Sequence, residues 1–371
     1  MTSRKSTIVE LCMSPDLGGL ELSMINAAKL LENDFDVISV VNKDSKISKY
    51  YDGDDSCIEI QKKSFFSIFS GAREFANIID SKGVKIVHIH WTKDIPFVVL
   101  VKLLSKSKPK IVQSRHMTMT RFKDDFYHKF LYKNIDLIIA VTAQVKEQLE
   151  KFISEDVRPE IELLYTGVKE QVYLNKEEIV ALKTELGFSH NSFNIGMVGR
   201  INEPKGQHLL IKAVEILVAK GLDVNAYFVG HAMEESYLEK LKSDIKANGF
   251  EDYIHFLGFM KNPHSFYQVC DAVVLASKRE TFGLVLIESM QMRTGVIGSN
   301  SGGVVEIIDD EQNGLLFESE NEKDLAAKIN FMIDNPQKVK EMEDFADRKC
   351  KEQFNEKLQY EKLKIIFEKL I

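Results

Sequence analysis

The sequence predicts an α/β protein made of two doubly wound parallel-sheet domains. Three observations carry this. Short Val- and Ile-rich runs alternate with longer segments of helical apolar spacing, the alternation restarts in the second half, and 371 residues exceed one ordinary core. Buried parallel strands read as continuous apolar runs because helices cover both faces of their sheet. Ligands of such sheets gather at the carboxyl ends of the strands.

Taken in order, the first half reads strand at Thr7 to Met13, helix at Leu20 to Leu31, strand at Phe35 to Val41 and helix at Phe66 to Asp80. Strand, helix and strand follow at Val84 to Trp91, Ile95 to Leu104 and Lys110 to Arg115, then a strand at Asp136 to Val141 and a helix from Ala143. The second half offers strands at Phe193 to Val198, Val224 to Val229, Tyr253 to Leu257, Ala272 to Ala276, Gly295 to Ser299 and Gly314 to Phe317, with helical segments between them. Beyond Asn335-Pro336 the chain is charged and helical through Lys369.

Composition narrows the function classes. Lys and Arg number 49 against 56 Asp and Glu, a formal net charge of -7, which argues against nucleic acid as the partner because phosphate backbones demand a cationic excess. No apolar run approaches the roughly 20 residues of a membrane span. Met1-Thr2-Ser3-Arg4-Lys5 leads straight into a strand rather than a signal-peptide core, so a cytoplasmic protein is expected. Cys12, Cys57, Cys270 and Cys350 are too scattered for a zinc site or a disulfide framework.

The stretch from Ala272 to Met290 is the most informative. An apolar strand passes through a polar turn into a helix, and Thr281 is placed to cap that helix. The backbone N–H groups of Phe282, Gly283 and Leu284 would then face an anion, with Gly283 keeping the approach open. Glu288 lies about one and a half turns on among apolar neighbours, where a carboxylate needs donors such as the hydroxyls of a sugar or ribose. A nucleotide-sugar supplies both negative charge and hydroxyl pairs.

Glu280 and Glu288, eight positions apart with Phe282-Gly283 just after the first, resemble the paired-glutamate signature of the retaining GT-B glycosyltransferases of family 4, which include sucrose-phosphate synthases and bacterial mannosyl- and N-acetylhexosaminyl-transferases. The resemblance implies two Rossmann-like domains facing a central cleft: residues 1–168 on the acceptor side, 169–350 holding the nucleotide-sugar, and a last helix over 351–371 returning to the first domain. The likeness is strong after about Asn194 and looser before it. Tyr165-Thr166-Gly167-Val168 resembles the family's Asn-Gly-Val hinge, with Thr166 in place of Asn.

Other residues gain roles from the same likeness. Gly199 and Arg200 end a strand, and Lys205 precedes a helix, giving two cations that would compensate a departing diphosphate. Gly230 and Gly258 finish strands near the nucleotide, with Phe259 beside the base. Ser301-Gly302-Gly303 resembles a glycine turn at the same site, although it also reads as an ordinary start to a helix. Gly18 and Gly19, with Glu21, resemble the family's Gly-Gly-x-Glu loop near the donor phosphates or acceptor. His116 stands where the family places a histidine near the donor sugar, able to donate to a hydroxyl or orient the acceptor.

Two metal readings are weighed and set aside. His88 and His90 share one strand face but lack a third ligand in sequence, so His88 is assigned to the core and His90, with Trp91, to the acceptor side. Asp52 and Asp54 imitate a metal-binding acidic pair but sit far from every phosphate-binding candidate. No metal and no cofactor are expected.

The expected activity is transfer of a sugar from a nucleoside-diphosphate donor, UDP- or GDP-linked with UDP favoured, to a hydroxyl of a glycan or lipid-linked acceptor in bacterial surface polysaccharide or lipopolysaccharide assembly. Retention at the anomeric carbon is implied by the resemblance. Arg200, Lys205 and the helix end would stabilise the diphosphate, Glu288 would hold the ribose diol, Glu280 the donor-sugar hydroxyls, and His116 would orient rather than attack. The Lys and Arg residues between Lys102 and Lys133, with Phe65, Phe66 and Phe69 behind Lys62 and Lys63, offer peripheral contact with an anionic membrane. A nucleotide-sugar 2-epimerase and a non-catalytic nucleotide-sugar-binding subunit remain as alternatives.

Overall fold

Strand and helix alternate to build two separate parallel sheets in the computed structural model, which describes residues 5–51, 57–61, 65–189 and 191–371. One unit comprises Met1–Gly167 with Lys357–Ile371, the other Val168–Glu356.

The first unit runs β1 (Thr7–Cys12), α1 (Gly19–Leu31), β2 (Asp36–Asn42), β3 (Cys57–Ile60), α2 (Phe65–Lys82), β4 (Ile86–Ile89), α3 (Ile95–Leu104), β5 (Lys110–Arg115), α4 (Phe126–Lys133), β6 (Leu137–Ala140), α5 (Ala143–Phe152) and β7 (Glu160–Leu163). Its sheet order among the described residues is β3-β2-β1-β4-β5-β6-β7, all parallel. The chain therefore winds outward from β1 in one direction and from β4 in the other, so the loops after these two strands flank a topological switch point. Asp94, just after β4, fastens that point by accepting the Met13 backbone N–H at 2.9 Å.

The second unit runs α6 (Lys176–Glu185), β8 (Phe193–Val198), α7 (Gln207–Ala219), β9 (Val224–Val229), α8 (Glu235–Asn248), β10 (Ile254–Gly258), α9 (His264–Val269), β11 (Ala272–Leu275), α10 (Leu284–Gln291), β12 (Gly295–Ser299), α11 (Val304–Ile307), β13 (Leu315–Phe317), α12 (Glu322–Asp334) and α13 (Pro336–Gln353). The parallel order β10-β9-β8-β11-β12-β13 puts its switch point between β8 and β11. Ile195, Val274 and Ile297 from three strands meet Leu210, Val214 and Leu325 from the covering helices in one core.

The last helix, α14 (Glu356–Leu370), covers one face of the first unit's sheet. Tyr360, Leu363 and Phe367 repeat at helical spacing and bury against Ile8, Ile86 and Val112. The Phe367 ring meets Phe35 edge-on at 6.2 Å, while Lys364 and Tyr360 both bond Asp34. The return begins at Lys357 rather than 351, because α13 continues to Gln353 and the Phe354 ring packs on Phe282 of the second unit at 5.7 Å. Residues 354–356 pair alongside Val168, so the second unit's two chain ends are tied together.

The edge strands β3 and β7 and the helices α4 and α6 are absent from the sequence reading; most other boundaries shift by one or two residues. Edge strands pair on one side only and need less apolar sequence, as Glu160-Ile161-Glu162-Leu163 shows. Asp52, Asp54, Lys62 and Lys63 lie outside the described residues.

Candidate functional site

The switch point of the second unit lies between the loops that follow β8 and β11. After β8 the chain turns through Gly199 and Arg200 and returns at Lys205 into α7; after β11 it passes Ser277 and Glu280 into α10. Lys205 Nζ meets Glu280 Oε2 at 2.7 Å, and Ser277 Oγ donates to the same oxygen at 3.1 Å. Both partners of the ion pair are only partly buried, so water still screens it. The two loops are also joined by backbone, with the Lys278 N–H bonded to Pro204 O at 3.0 Å.

Arg200 is exposed, and its guanidinium forms no ion pair among the described residues. Its carbonyl is held by the Gln207 side-chain amide at 2.9 Å, which fixes the loop and leaves the side chain to a ligand. Gly199, Gly230 and Gly258 line up at the ends of β8, β9 and β10: the Gly199 N–H bonds Val229 O at 2.9 Å and the Gly230 N–H bonds Gly258 O at 2.8 Å. Phe259 follows with its ring largely exposed, 6.1 Å from His231.

The helix start differs from expectation. Gly283, not Thr281, is the capping residue of α10, with φ +103 and no side-chain cap. A left-handed backbone of that kind suits glycine. With Gly283 as the cap the helix proper starts at Leu284, so the N–H groups of Leu284 and Val285 open its first turn, where Phe282, Gly283 and Leu284 were expected. Phe282 instead turns its ring into the core against Phe354.

The loop carrying Glu280 and Thr281 is braced by the Ser301-Gly302-Gly303 turn, which the sequence left open between a glycine turn at the nucleotide site and an ordinary start to a helix. The Gly303 N–H bonds Glu280 O at 3.0 Å, and a methyl group built on Gly303 would stand 2.9 Å from Phe282 Cα and closer still to the Thr281 carbonyl oxygen. Ser299 adds a bond from Oγ to Ser277 O at 2.8 Å.

Glu288 projects from α10 and accepts from the buried Tyr267 hydroxyl at 2.7 Å. Burial raises its pKa from the ordinary carboxylate value, and the Tyr267 bond partly offsets this. Its second oxygen has no recorded protein partner among the described residues. Lys205 and Glu280 are thus brought together directly, whereas Glu288 is held separately by a residue of α9. Tyr267 carried no sequence signal, since its role depends on a contact 21 positions away.

In the first unit the Gly18 N–H donates to Glu21 Oε2 at 2.8 Å, so Glu21 secures the start of α1, while Gly19 stands in open space. His116 follows β5, and its Nε2 lies 3.2 Å from His90 Nδ1. His90 is buried rather than lining a surface, which corrects its assignment to the acceptor side. Glu10 of β1 supplies the third group that His88 and His90 lacked in sequence; the three offer ligand atoms within 4.8 Å of one another, a spacing a metal ion could use. Their oxygens and nitrogens already satisfy each other at 2.7 and 2.8 Å.

The basic band is partly neutralised. Lys102 and Lys110 both reach Asp136, Lys129 reaches Asp156, and Arg115 is buried, bonding Thr92 Oγ1 at 2.7 Å and the carbonyls of Met117 and Thr118. Sequence reading missed the exposed aromatic group beside it: Phe122, Phe126, Tyr127 and Phe130 all face solvent among Arg121, Lys129 and Lys133. Among the described residues no helix is long and apolar enough to cross a membrane.

Comparison with known proteins agrees with this architecture. The family model for Glycosyl transferases group 1 matches residues 178–349, and that for Glycosyl transferase 4-like matches 10–142. The capsular polysaccharide biosynthesis glycosyltransferase CapM of Staphylococcus aureus is 24% identical over 321 residues, covering 80% of each chain. A glycosyltransferase crystal structure from Rickettsia africae superposes with TM-score 0.89 at 25% identity, covering 99% of this chain and 98% of that one. Anabaena HepE in complex with UDP-glucose shares the fold, with TM-score 0.83 at 21% identity over 98% and 99%. Two doubly wound parallel sheets of this kind form the GT-B architecture, and the chain belongs to the group 1 glycosyl transferases.

Proposed function

We propose that the protein transfers a sugar, with retention at the anomeric carbon, from a nucleoside-diphosphate donor to a hydroxyl of a glycan or lipid-linked acceptor in surface polysaccharide or lipopolysaccharide assembly. The observation that carries this is the Lys205–Glu280 pair beside the open start of α10, at the switch point of the second sheet. The names of CapM and of the HepE complex with UDP-glucose favour a polysaccharide product and a UDP-linked donor.

Lys205 and Glu280 neutralise each other across their 2.7 Å contact. A bound diphosphate takes over Lys205, together with Arg200 and the N–H groups of Gly283 and Leu284, and releases Glu280 to accept from donor-sugar hydroxyls. Glu288, steadied through one oxygen by Tyr267, offers the other to the ribose diol. Gly199, Gly230 and Gly258 leave room for the nucleotide, with Phe259 against its base, and the Gly18-Gly19 loop serves the donor phosphates or the acceptor. Thr281 shapes the turn and Phe282 anchors it from the core.

As the anomeric C–O bond breaks, its electron pair goes to the diphosphate oxygen. That oxygen receives the proton of the attacking hydroxyl, and the new C–O bond forms on the face the diphosphate leaves. His116 orients a sugar or acceptor hydroxyl. The protein's own cations compensate the leaving group, so no metal is assigned a role. The acceptor side works at the inner face of the cytoplasmic membrane, where Phe126 and Phe130 enter the interface and Lys133 meets anionic headgroups.

Thermal stabilisation across UDP-, GDP- and ADP-sugars identifies the donor, since a ligand that binds only the native state raises its melting temperature. Release of the nucleoside diphosphate on adding glycan or lipid-linked acceptors, unaffected by EDTA, with an α-linked product from an α-donor, is the expected result. Conversion of the donor sugar without acceptor would favour an epimerase, and binding with no turnover across the acceptor panel would favour a non-catalytic subunit.

A further inference from the structure

The first unit holds a hydrogen-bonded chain of ionisable groups inside its sheet. Glu10 of β1, His88 of β4 and His90 just after it are each 0–2% exposed, and the chain runs outward to His116 after β5. Each Glu10 oxygen meets one ring: Oε1 lies 2.8 Å from His88 Nδ1 and Oε2 lies 2.7 Å from His90 Nε2. His88 Nε2 lies 2.8 Å from Ser114 Oγ, and His90 Nδ1 lies 3.2 Å from His116 Nε2. The His90 and His116 rings stack at 5.4 Å.

Proton placement follows from the partners. Burial pushes all three imidazoles down to about 3, so each is neutral at pH 7 and has one donor and one acceptor nitrogen. Each Glu10 oxygen lies within hydrogen-bond distance of one ring nitrogen, and a carboxylate that accepts from both rings places the protons on His88 Nδ1 and His90 Nε2. His90 Nδ1 is then bare and must accept, which requires the proton of His116 on Nε2. The remaining nitrogen of His116, Nδ1, is left with a lone pair. Burial raises the Glu10 pKa, while the His90 bond works against this and favours the charged form. Arg115, buried beside His116 with no acidic partner among the described residues, opposes a second proton on that ring.

We propose that Glu10 and His90 are positioning residues that fix His116 in the tautomer with a bare Nδ1, so that His116 accepts a hydrogen bond from a ligand hydroxyl and cannot donate one. This rests on the role given to His116 above and settles its direction. It requires neither a metal at the Glu10, His88 and His90 cluster nor movement of the sheet.

Imidazole nitrogen NMR of the full chain, labelled in histidine and assigned by single substitutions, tests the proton placement without substrate. Expected in the wild type are His88 protonated on Nδ1 and His90 and His116 on Nε2. His90→Phe keeps a ring in the same space but removes both nitrogens, and His116 should then show shifts averaged over two tautomers. Glu10→Gln must donate through its amide to one ring, so either His88 or His90 should invert. A wild-type His116 protonated on Nδ1, unmoved His116 shifts in His90→Phe, or a Glu10→Gln spectrum equal to the wild type would each overturn the proposal.

Turnover separates this from the reading of His116. With UDP-glucose, or whichever nucleotide-sugar the panel selects, His90→Phe should lower kcat about tenfold, the effect of one lost hydrogen bond. It should leave KM for the donor within about twofold and cause no further loss in a His116→Ala background. Equal losses in both backgrounds would make His90 a core residue only and overturn the proposal. Wild-type turnover by His116→Ala would instead overturn the role of His116, while the spectra still decide the proton placement.

Discussion

Gly303→Ala is the substitution that separates a braced loop from a loop that merely happens to be nearby. Gly303 has φ near -74, which any residue adopts, so alanine adds no backbone strain of its own. The added methyl would lie 2.9 Å from Phe282 Cα, where carbon atoms rest at roughly 3.5–4.0 Å. It would also lie 2.1 Å from Thr281 O, so the 281–282 backbone must retreat by about 1 Å or more, carrying Glu280 and the start of α10 with it. Overpacking of this size costs about 1–3 kcal/mol. Misplacement near 1 Å at a reacting centre costs on the order of 100-fold in rate. Melting temperature and kcat with the selected donor and acceptor are the assays, with Gly71→Ala as control, because among the described residues a methyl there meets only Ile60 Cγ2 at 3.9 Å, and it adds helix propensity. Wild-type stability and turnover in Gly303→Ala would refute the bracing argument.

Three further outcomes follow from burial and charge. Because burial raises the folded pKa of Glu288, its ionised form costs stability that is fully regained below the unfolded value and lost as pH rises through the folded one. Glu288→Gln should accordingly raise the melting temperature at pH 7 while weakening nucleotide binding, and should flatten the fall in affinity that the wild type shows on acidification, as read by titration calorimetry. Glu343, raised to about 7 by burial and then by Asp344, follows the same sign: Glu343→Gln should stabilise by about 1 kcal/mol after solvent screening at pH 8 and little at pH 5, measured by thermal scans. Phe367→Ala empties a fully buried site between Phe35 and His88 and should cost about 3–5 kcal/mol in denaturant unfolding of the first unit, whereas Ile365→Ala, half exposed on the same helix, should stay within about 0.5 kcal/mol.

The sheet was legible where burial on both faces forces an unbroken apolar run. Phe193–Val198, Val224–Val229 and Gly295–Ser299 were read at their true limits for that reason. Glu160–Leu163 and Cys57–Ile60 were missed because an edge strand pairs on one side and carries polar residues that resemble a loop. At the candidate site, Lys205 and Glu280 could be named from residue type and spacing, since charge at strand ends is visible in a sequence. Their ion pair could not, because it joins loops 75 positions apart.

The residues that support them left weaker traces. Tyr267 looks like any aromatic helix residue until its hydroxyl meets Glu288, and Glu10 is a lone acid in a strand whose partners lie 78 and 80 positions away. A charged residue inside an otherwise apolar run was the available signal at Glu10, because a buried carboxylate requires donors. The α10 cap was misplaced for a different reason: Thr281 has the better capping side chain, but the left-handed turn at Gly283 sets where the helix begins.

In the proposed reaction the Lys205 and Arg200 edge of the second sheet grips a nucleoside diphosphate. Calorimetric titration of UDP, GDP and ADP into the wild type and into the Arg200→Ala, Lys205→Ala double variant tests it directly. One diphosphate should bind the wild type, and the variant should lose on the order of 100-fold or more in affinity, as two charge-assisted contacts are removed. Equal affinity in the two proteins, or no binding of any of the three, would contradict the account.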